Sequence, residues 1–191
     1  MLFVLMEAWH SGRTAMLGQL ERETMPLDLF IKSMANEAKV EGTAVYLSRR
    51  IDVVPVAMLH SVKHYHVLHQ RNVILSVEIE TVPRVPAAEQ ATVTALGSEF
   101  YRIVLRYGFM QHPDIPAALA HCAPGGQPFD EMQTTFFLSR VSVAKTATAK
   151  ERLNPVFCRL FAWMHRNEAD ATEFFRIPRN RIVELGAQIE L

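Results

Sequence analysis

The chain of 191 residues has only two cysteines, Cys122 and Cys158. They show no metal-ligand spacing, so a zinc ribbon is not expected, and a reduced, cytosolic pair is the default state. Charge of one sign is equally scarce: 20 basic residues balance 20 acidic ones. A protein built to coat nucleic acid would carry a basic excess. No segment approaches the ~20 consecutive apolar residues that cross a bilayer. Met1 to Trp9 is apolar but short, holds Glu7, and lacks the basic start of a signal peptide. Internal repeats and low-complexity tracts are missing too. Catalytic signatures are thin. Gly125-Gly126 has no Walker lysine, no G-x-G-x-x-G follows the first strand, and no G-x-S-x-G elbow surrounds Ser139. Cys122 follows His121 directly, and adjacent residues on a helix point apart. An enzyme is therefore not expected, and neither is a cofactor.

What is present is an ordinary apolar fraction and a length that suits one domain with an appendage. The stretch from Gly42 to Glu80 organises the rest. Thr43 to Leu47 is short, apolar and β-branched, as a buried strand should be. Pro55 opens a helical pattern with Ala57, Met58, Leu59, Val62 and Tyr65 toward one side. Asn72 to Ile79 alternates as a second strand, with Val73, Leu75, Val77 and Ile79 opposite Ser76, Glu78 and Glu80. Strand, helix and strand make a βαβ unit, the core of an α/β domain.

Before it, Glu7 to Glu23 reads as a helix weakened by Gly12 and Gly18. Pro26 begins a short helix with Leu27, Phe30, Ile31 and Met34 at helical spacing. After it, Val82-Pro83-Arg84-Val85-Pro86 is an extended break. Ala91–Leu96 and Phe100–Phe109 are two strands joined around Gly97-Ser98 as a hairpin. Asp114 caps a short helix through Ala120, which Pro124-Gly125-Gly126 closes off. Thr134–Ser139 is a strand, Val141–Arg152 a polar mobile loop, and Leu153–Asn167 a helix. Phe174 and Phe175 cover a core edge. Val183, Leu185, Ala187, Ile189 and Leu191 alternate with polar residues in a last strand. The order β-α-β-β-β-α-β-α-β predicts an α/β fold, a mixed β-sheet flanked by helices.

Two clusters carry what chemistry the sequence offers. His60, His64, His66 and His69 crowd the end of the crossover helix. His60 and His64 share a helical face, but no carboxylate or cysteine is close in sequence, so a capping role at the helix C-terminus is expected and a metal is not. Arg102 and Arg106 on one strand face, with Arg140 in a strand-end loop, could hold an anion or other ligand, or form a solvated sheet edge. The aromatic residues sit among aliphatics at strand or helix spacing, without the basic interleaving of a nucleic-acid surface.

Gly42-Thr43-Ala44-Val45-Tyr46-Leu47-Ser48 and Leu59-His60-Ser61-Val62-Lys63-His64 with Val67-Leu68-His69 resemble the C-terminal cytoplasmic region of the Kup-type (KUP/HAK/KT) potassium uptake transporters. Three later blocks agree in order: Phe100-Tyr101-Arg102 with Tyr107-Gly108, Thr134 to Ser139, and Ile177 to Gly186. The resemblance implies a fragment of a low-affinity-type potassium uptake transporter whose membrane portion handles potassium and protons as a symporter. The region itself would be regulatory or assembly-related, or alternatively a sensing module for a nucleotide second messenger such as cyclic di-AMP. It would sit at the cytoplasmic face of the bacterial inner membrane, partnered by the membrane portion, with a homodimer as a further expectation. Residues 1–40 are then expected to be a juxtamembrane helical arm, the end of the last span plus a linker, with Trp9 and Arg13 suited to a membrane–water boundary. Residues 41–191 are expected to be a cytoplasmic α/β domain that folds by itself. His60, His64 and His69 fall where the family pattern has histidine, and the family assigns them no metal.

Overall fold

The computed structural model describes residues 2–22, 25–34, 37–97, 99–144, 160–164 and 171–190. In chain order its elements are α1 (Leu2–Arg22), α2 (Leu27–Ser33), β1 (Ala38–Leu47), α3 (Val56–Tyr65), β2 (Val67–Glu80), β3 (Ala91–Ala95), β4 (Phe100–Gly108), α4 (Ile115–Ala120), β5 (Thr134–Ala144), α5 (Ala171–Phe174) and β6 (Ile182–Glu190). Two compact units are formed. Met25–Ser139 with Ala171–Leu185 make one; Met1–Thr24, Arg140–Asp170 and Gly186–Leu191 make the other.

The larger unit is built on a six-stranded sheet in the order β3-β4-β2-β1-β5-β6. The central four strands are parallel and β3 runs antiparallel on β4, so the expected mixed sheet, βαβ unit and hairpin are all present. A parallel sheet is stable only with both faces covered. Side-chain alternation meets that need. Val45, Val73, Leu75, Ile103, Leu105 and Phe136 face one core with Ile115 and Leu119 of α4. Ala44, Tyr46, Ile74, Phe100 and Phe137 face the other with Ala57 and Met58 of α3. Tyr46 and Phe137 stack there at 4.8 Å between centroids.

Leu27 and Phe30 belong to the second core as well, 1% and 3% exposed. Pro26 forms a bridge with Val53, with Leu27 N–H donating to the Asp52 carbonyl and Val54 N–H to that of Met25. The helix begun at Pro26 is thus part of the sheet's packing, although its place before Gly42 suggested a linker. The apolar spacing that made it a helix also made it a core element, and chain order does not reveal that.

Other boundaries move for physical reasons. β1 and β2 start at Ala38 and Val67, five residues before their apolar runs, because Ala38–Val40 pair with Val67–His69 while exposed. The register then shifts between Val40 and Thr43, where Gly42 takes φ +102°. A Cβ at Gly42 would stand 2.8 Å from the Gln133 carbonyl oxygen, so both backbone angle and space call for glycine. Val141–Ala144, expected in a loop, continue β5. Residues 145–152 of that loop lie outside the described residues, as does most of the helix expected over 153–167, of which 160–164 are helical.

In the smaller unit, α1 presents Ala8, Gly12 and Met16 on one buried face. Phe161 sits 5.5 Å from the Trp9 ring and occupies the space a Cβ on Gly12 would need, 2.3 Å from its Cγ. Gly12, read as a weakness of the helix, is what lets that ring in. Among the described residues no helix is long and apolar enough to cross a membrane.

Candidate functional site

Each residue singled out in the sequence has a defined place. His60 and His64 stack ring on ring at 5.9 Å along α3, and no group of three or more potential metal ligands occurs among the described residues. His66 ends the helix in the left-handed conformation (φ 53°), its N–H donating to the Val62 carbonyl. The cap is made by its backbone. His69 is not at the helix end at all: it lies in β2, half-buried, edge-on to Phe137, and burial lowers its pKa below the usual imidazole value.

Carboxylates already stand against two of the three arginines. Arg102 approaches Asp52 at 3.9 Å, and Arg106 lies 3.4 Å from Glu78 and 3.7 Å from Glu80 while donating to Thr92 Oγ1. A groove of about 530 Å³ opens beside Arg106, bounded by Glu80, Arg84, Glu89 and Thr92, so its wall charges cancel. Arg140 falls in the stretch grouped with the smaller unit and is itself engaged within the chain.

The candidate nucleophiles are occupied. Ser139 Oγ accepts the Ala57 N–H at 3.0 Å, closing the first turn of α3, which Pro55 cannot cap with its own side chain. Cys122 is buried, donates to the Ala118 carbonyl, and has its thiol pKa pushed up by burial, away from the reactive thiolate.

A second recess, about 280 Å³, lies beside the middle of β1 and the early part of β2, near the starts of β4 and β5. Its walls include Thr43, Gln70, Arg71, Tyr101, Gly125 and Gln133. Arg71 sits in β2 in register with Thr43 of β1 and donates Nε–H to Thr43 Oγ1 at 2.8 Å. Its Nη1 and Nη2 reach the carbonyls of Gln127 and Pro128 at 2.8 and 3.2 Å, and its guanidinium lies 4.8 Å over the Phe129 ring. Burial pulls its pKa down, the neighbouring Tyr101 phenol acting the other way. Gly125 takes φ +70°, and a Cβ there would meet the Tyr101 hydroxyl at 2.4 Å. Sequence reasoning missed Arg71. It lies in the polar run His69-Gln70-Arg71-Asn72 ahead of the apolar stretch of β2, so the hydrophobic pattern carried no signal for it.

Against known proteins, residues 41–191 match the family model described as the K+ potassium transporter C-terminal domain. The chain is 46% identical over 190 residues to the probable potassium transport system protein Kup 1 of Bradyrhizobium sp., covering all of itself and 31% of that protein. It is 46% identical over 194 residues to the probable Kup protein of Xanthomonas euvesicatoria, again covering all of itself and 30% of that protein. With the probable Kup 1 of Novosphingobium aromaticivorans it shares 44% over 193 residues and 29% of that protein's length. The chain therefore spans under a third of the curated relatives it matches. No solved structure matches it. Matched by the family model over residues 41–191 and end to end by Kup proteins, this chain belongs to the K+ potassium transporter C-terminal domain family.

Proposed function

We propose that this chain serves as the cytoplasmic C-terminal part of a Kup-type potassium uptake transporter and regulates or assembles the membrane part. The observation that carries this reading is the length relation: relatives named as potassium transport proteins match the whole chain yet are about three times as long. An ion path across a bilayer needs a lined span, and no described helix supplies one. Potassium uptake coupled to protons then belongs to the remainder of the transporter, at the bacterial inner membrane. The arm toward the membrane, expected from the sequence over residues 1–40, is α1 alone in this proposal, since α2 packs into the sheet unit.

Assembly as a homodimer is part of the same proposal. β3 (Ala91-Thr92-Val93-Thr94-Ala95) is an edge strand without charge or proline, the usual guards of such an edge. Arg106 N–H donates to the Gln90 carbonyl and Leu96 N–H to that of Phe100, so even-numbered residues bond to β4. The N–H and C=O groups of Ala91, Val93 and Ala95 point outward, toward a strand from a second copy.

The test is potassium uptake in a bacterium lacking its own uptake systems. A full-length relative, the same relative without the region matching residues 41–191, and this chain alone are compared at low potassium. The chain alone should give no rescue, and the shortened transporter should differ from the full one in uptake rate or in assembly. Rescue by the chain alone, or a shortened transporter with unchanged uptake and assembly, would overturn the reading.

A further inference from the structure

We infer that the recess around Arg71 is a binding site for a small phosphate-bearing ligand, with the guanidinium as its anchor. The starting point is a charge without a counter-charge. All three acceptors that hold Arg71 are neutral: the Thr43 hydroxyl and the carbonyls of Gln127 and Pro128. Among the described residues no carboxylate stands within ion-pair distance of it. This sets it apart from Arg102, Arg106 and Arg176, each of which faces an aspartate or glutamate. A partly desolvated cation held only by dipoles favours an anion at its open side.

The geometry leaves room for one. A guanidinium carries five N–H donors in a fixed fork, and three are used in holding the 127–128 backbone and Thr43. The two that remain suit the paired oxygens of a phosphate group. Phe129 beneath the guanidinium plane and three hydrogen bonds fix that fork in place, so little freedom is lost on binding. The rest of the wall is polar and uncharged. Gln70, Gln127 and Gln133 offer amide donors, Tyr101 a hydroxyl, and Thr43 a hydroxyl proton left over after its oxygen accepts from Arg71. No acidic side chain lines the recess, whereas the larger groove beside Arg106 holds Glu80 and Glu89. At about 280 Å³ the space equals roughly nine water molecules, enough for a phosphate and part of an attached sugar. Gly42 and Gly125, both at positive φ, keep the walls bare where a side chain would strike the Gln133 carbonyl or the Tyr101 hydroxyl.

The inference rests on the regulatory reading for its purpose but not for its test. Binding is measured on the 191-residue chain alone by calorimetric titration with inorganic phosphate and with AMP, at constant ionic strength and with chloride as the control ion. Saturable binding of both is expected, tighter for AMP if the physiological ligand is a phosphoester and equal if it is free phosphate. Arg71→Gln should weaken binding at least tenfold, and Arg71→Lys, which keeps the charge and loses the fork, by less. Because Arg71 also pins the 127–128 backbone, Gln133→Ala and Tyr101→Phe serve as variants that leave the pin intact, each expected to weaken binding about threefold or more. No saturable heat with either probe, or wild-type affinity in both of these variants, would overturn the site. Binding together with a shortened transporter of unchanged uptake and assembly in the cellular assay would instead leave the site standing and remove the regulatory role.

Discussion

Deleting α2 should unfold the sheet unit, although the family boundary begins at residue 41. Two truncated chains isolate the effect, one beginning at Met25 and one at Glu37, both lacking α1. The second loses Leu27 and Phe30, which are 1% and 3% exposed and packed against Tyr46, Val54, Met58 and Phe137. Removing a buried leucine side chain costs about 2–5 kcal/mol and a buried phenylalanine about 3–5 kcal/mol when the space left cannot collapse. The second chain also strips the Val54 N–H of its acceptor, the Met25 carbonyl, at a residue 1% exposed. An orphaned buried donor costs about 1–3 kcal/mol more. The sum, at least about 6 kcal/mol, rivals the ~5–15 kcal/mol by which a domain is usually stable. In urea melts followed by circular dichroism, the Met25 chain should unfold cooperatively, while the Glu37 chain should be unfolded or aggregated without denaturant. Phe30→Ala in the Met25 chain should lower stability by about 3–4 kcal/mol. If the Glu37 chain melts cooperatively within about 1–2 kcal/mol of the Met25 chain, α2 is a tether and the burial argument fails.

Two further outcomes are expected. Burial lowers the pKa of His69, so the folded state favours the neutral ring and the unfolded chain binds the proton more readily. Its contribution is fully present above the ordinary imidazole value of about 6.5 and is lost as pH falls through that value and the lower folded one. His69→Gln should flatten the stability–pH curve between pH 7 and 5; a steeper fall in the variant would contradict this sign. Val93→Pro removes an outward-facing N–H of β3 and none of the bonds to β4. The wild-type chain should dimerise with rising concentration in sedimentation equilibrium and the variant should stay monomeric with unchanged melting. A wild type that is monomeric throughout, or a variant that dimerises equally, would rule out pairing through this edge.

The sequence alone determined the elements whose causes are local. Alternation in Val73–Ile79 and Val183–Ile189 marks strands because side chains on a pleat point to opposite faces. Pro55 and Asp114 mark helix starts because a missing N–H or an accepting carboxylate suits the first turn, and Asp114 does accept from Ala117 N–H. Gly97-Ser98 marks the hairpin because a tight turn needs such residues. Blocks of residues in the right order also sufficed for the family. Only the tertiary structure decided which elements share a core and which side chains meet. Leu27 and Phe30 have the same helical spacing whether they cover a sheet or bridge to a membrane. Ser139 caps a helix 82 residues earlier in the chain, and Arg71 reaches carbonyls 56 and 57 residues later. The first residues of β1, Ala38–Val40, are exposed and pair with Val67–His69 of β2, so they are a strand through hydrogen bonds to a segment distant in sequence rather than through a hydrophobic period. The counter-charges of Arg102 and Arg106 likewise come from residues distant in sequence, Asp52 in the loop after β1 and Glu78 on the neighbouring strand, while among the described residues Arg71 has none. Local periodicity sets what each segment can be; burial and charge pairing across the sheet are set by contacts distant in sequence, which no window along the chain contains.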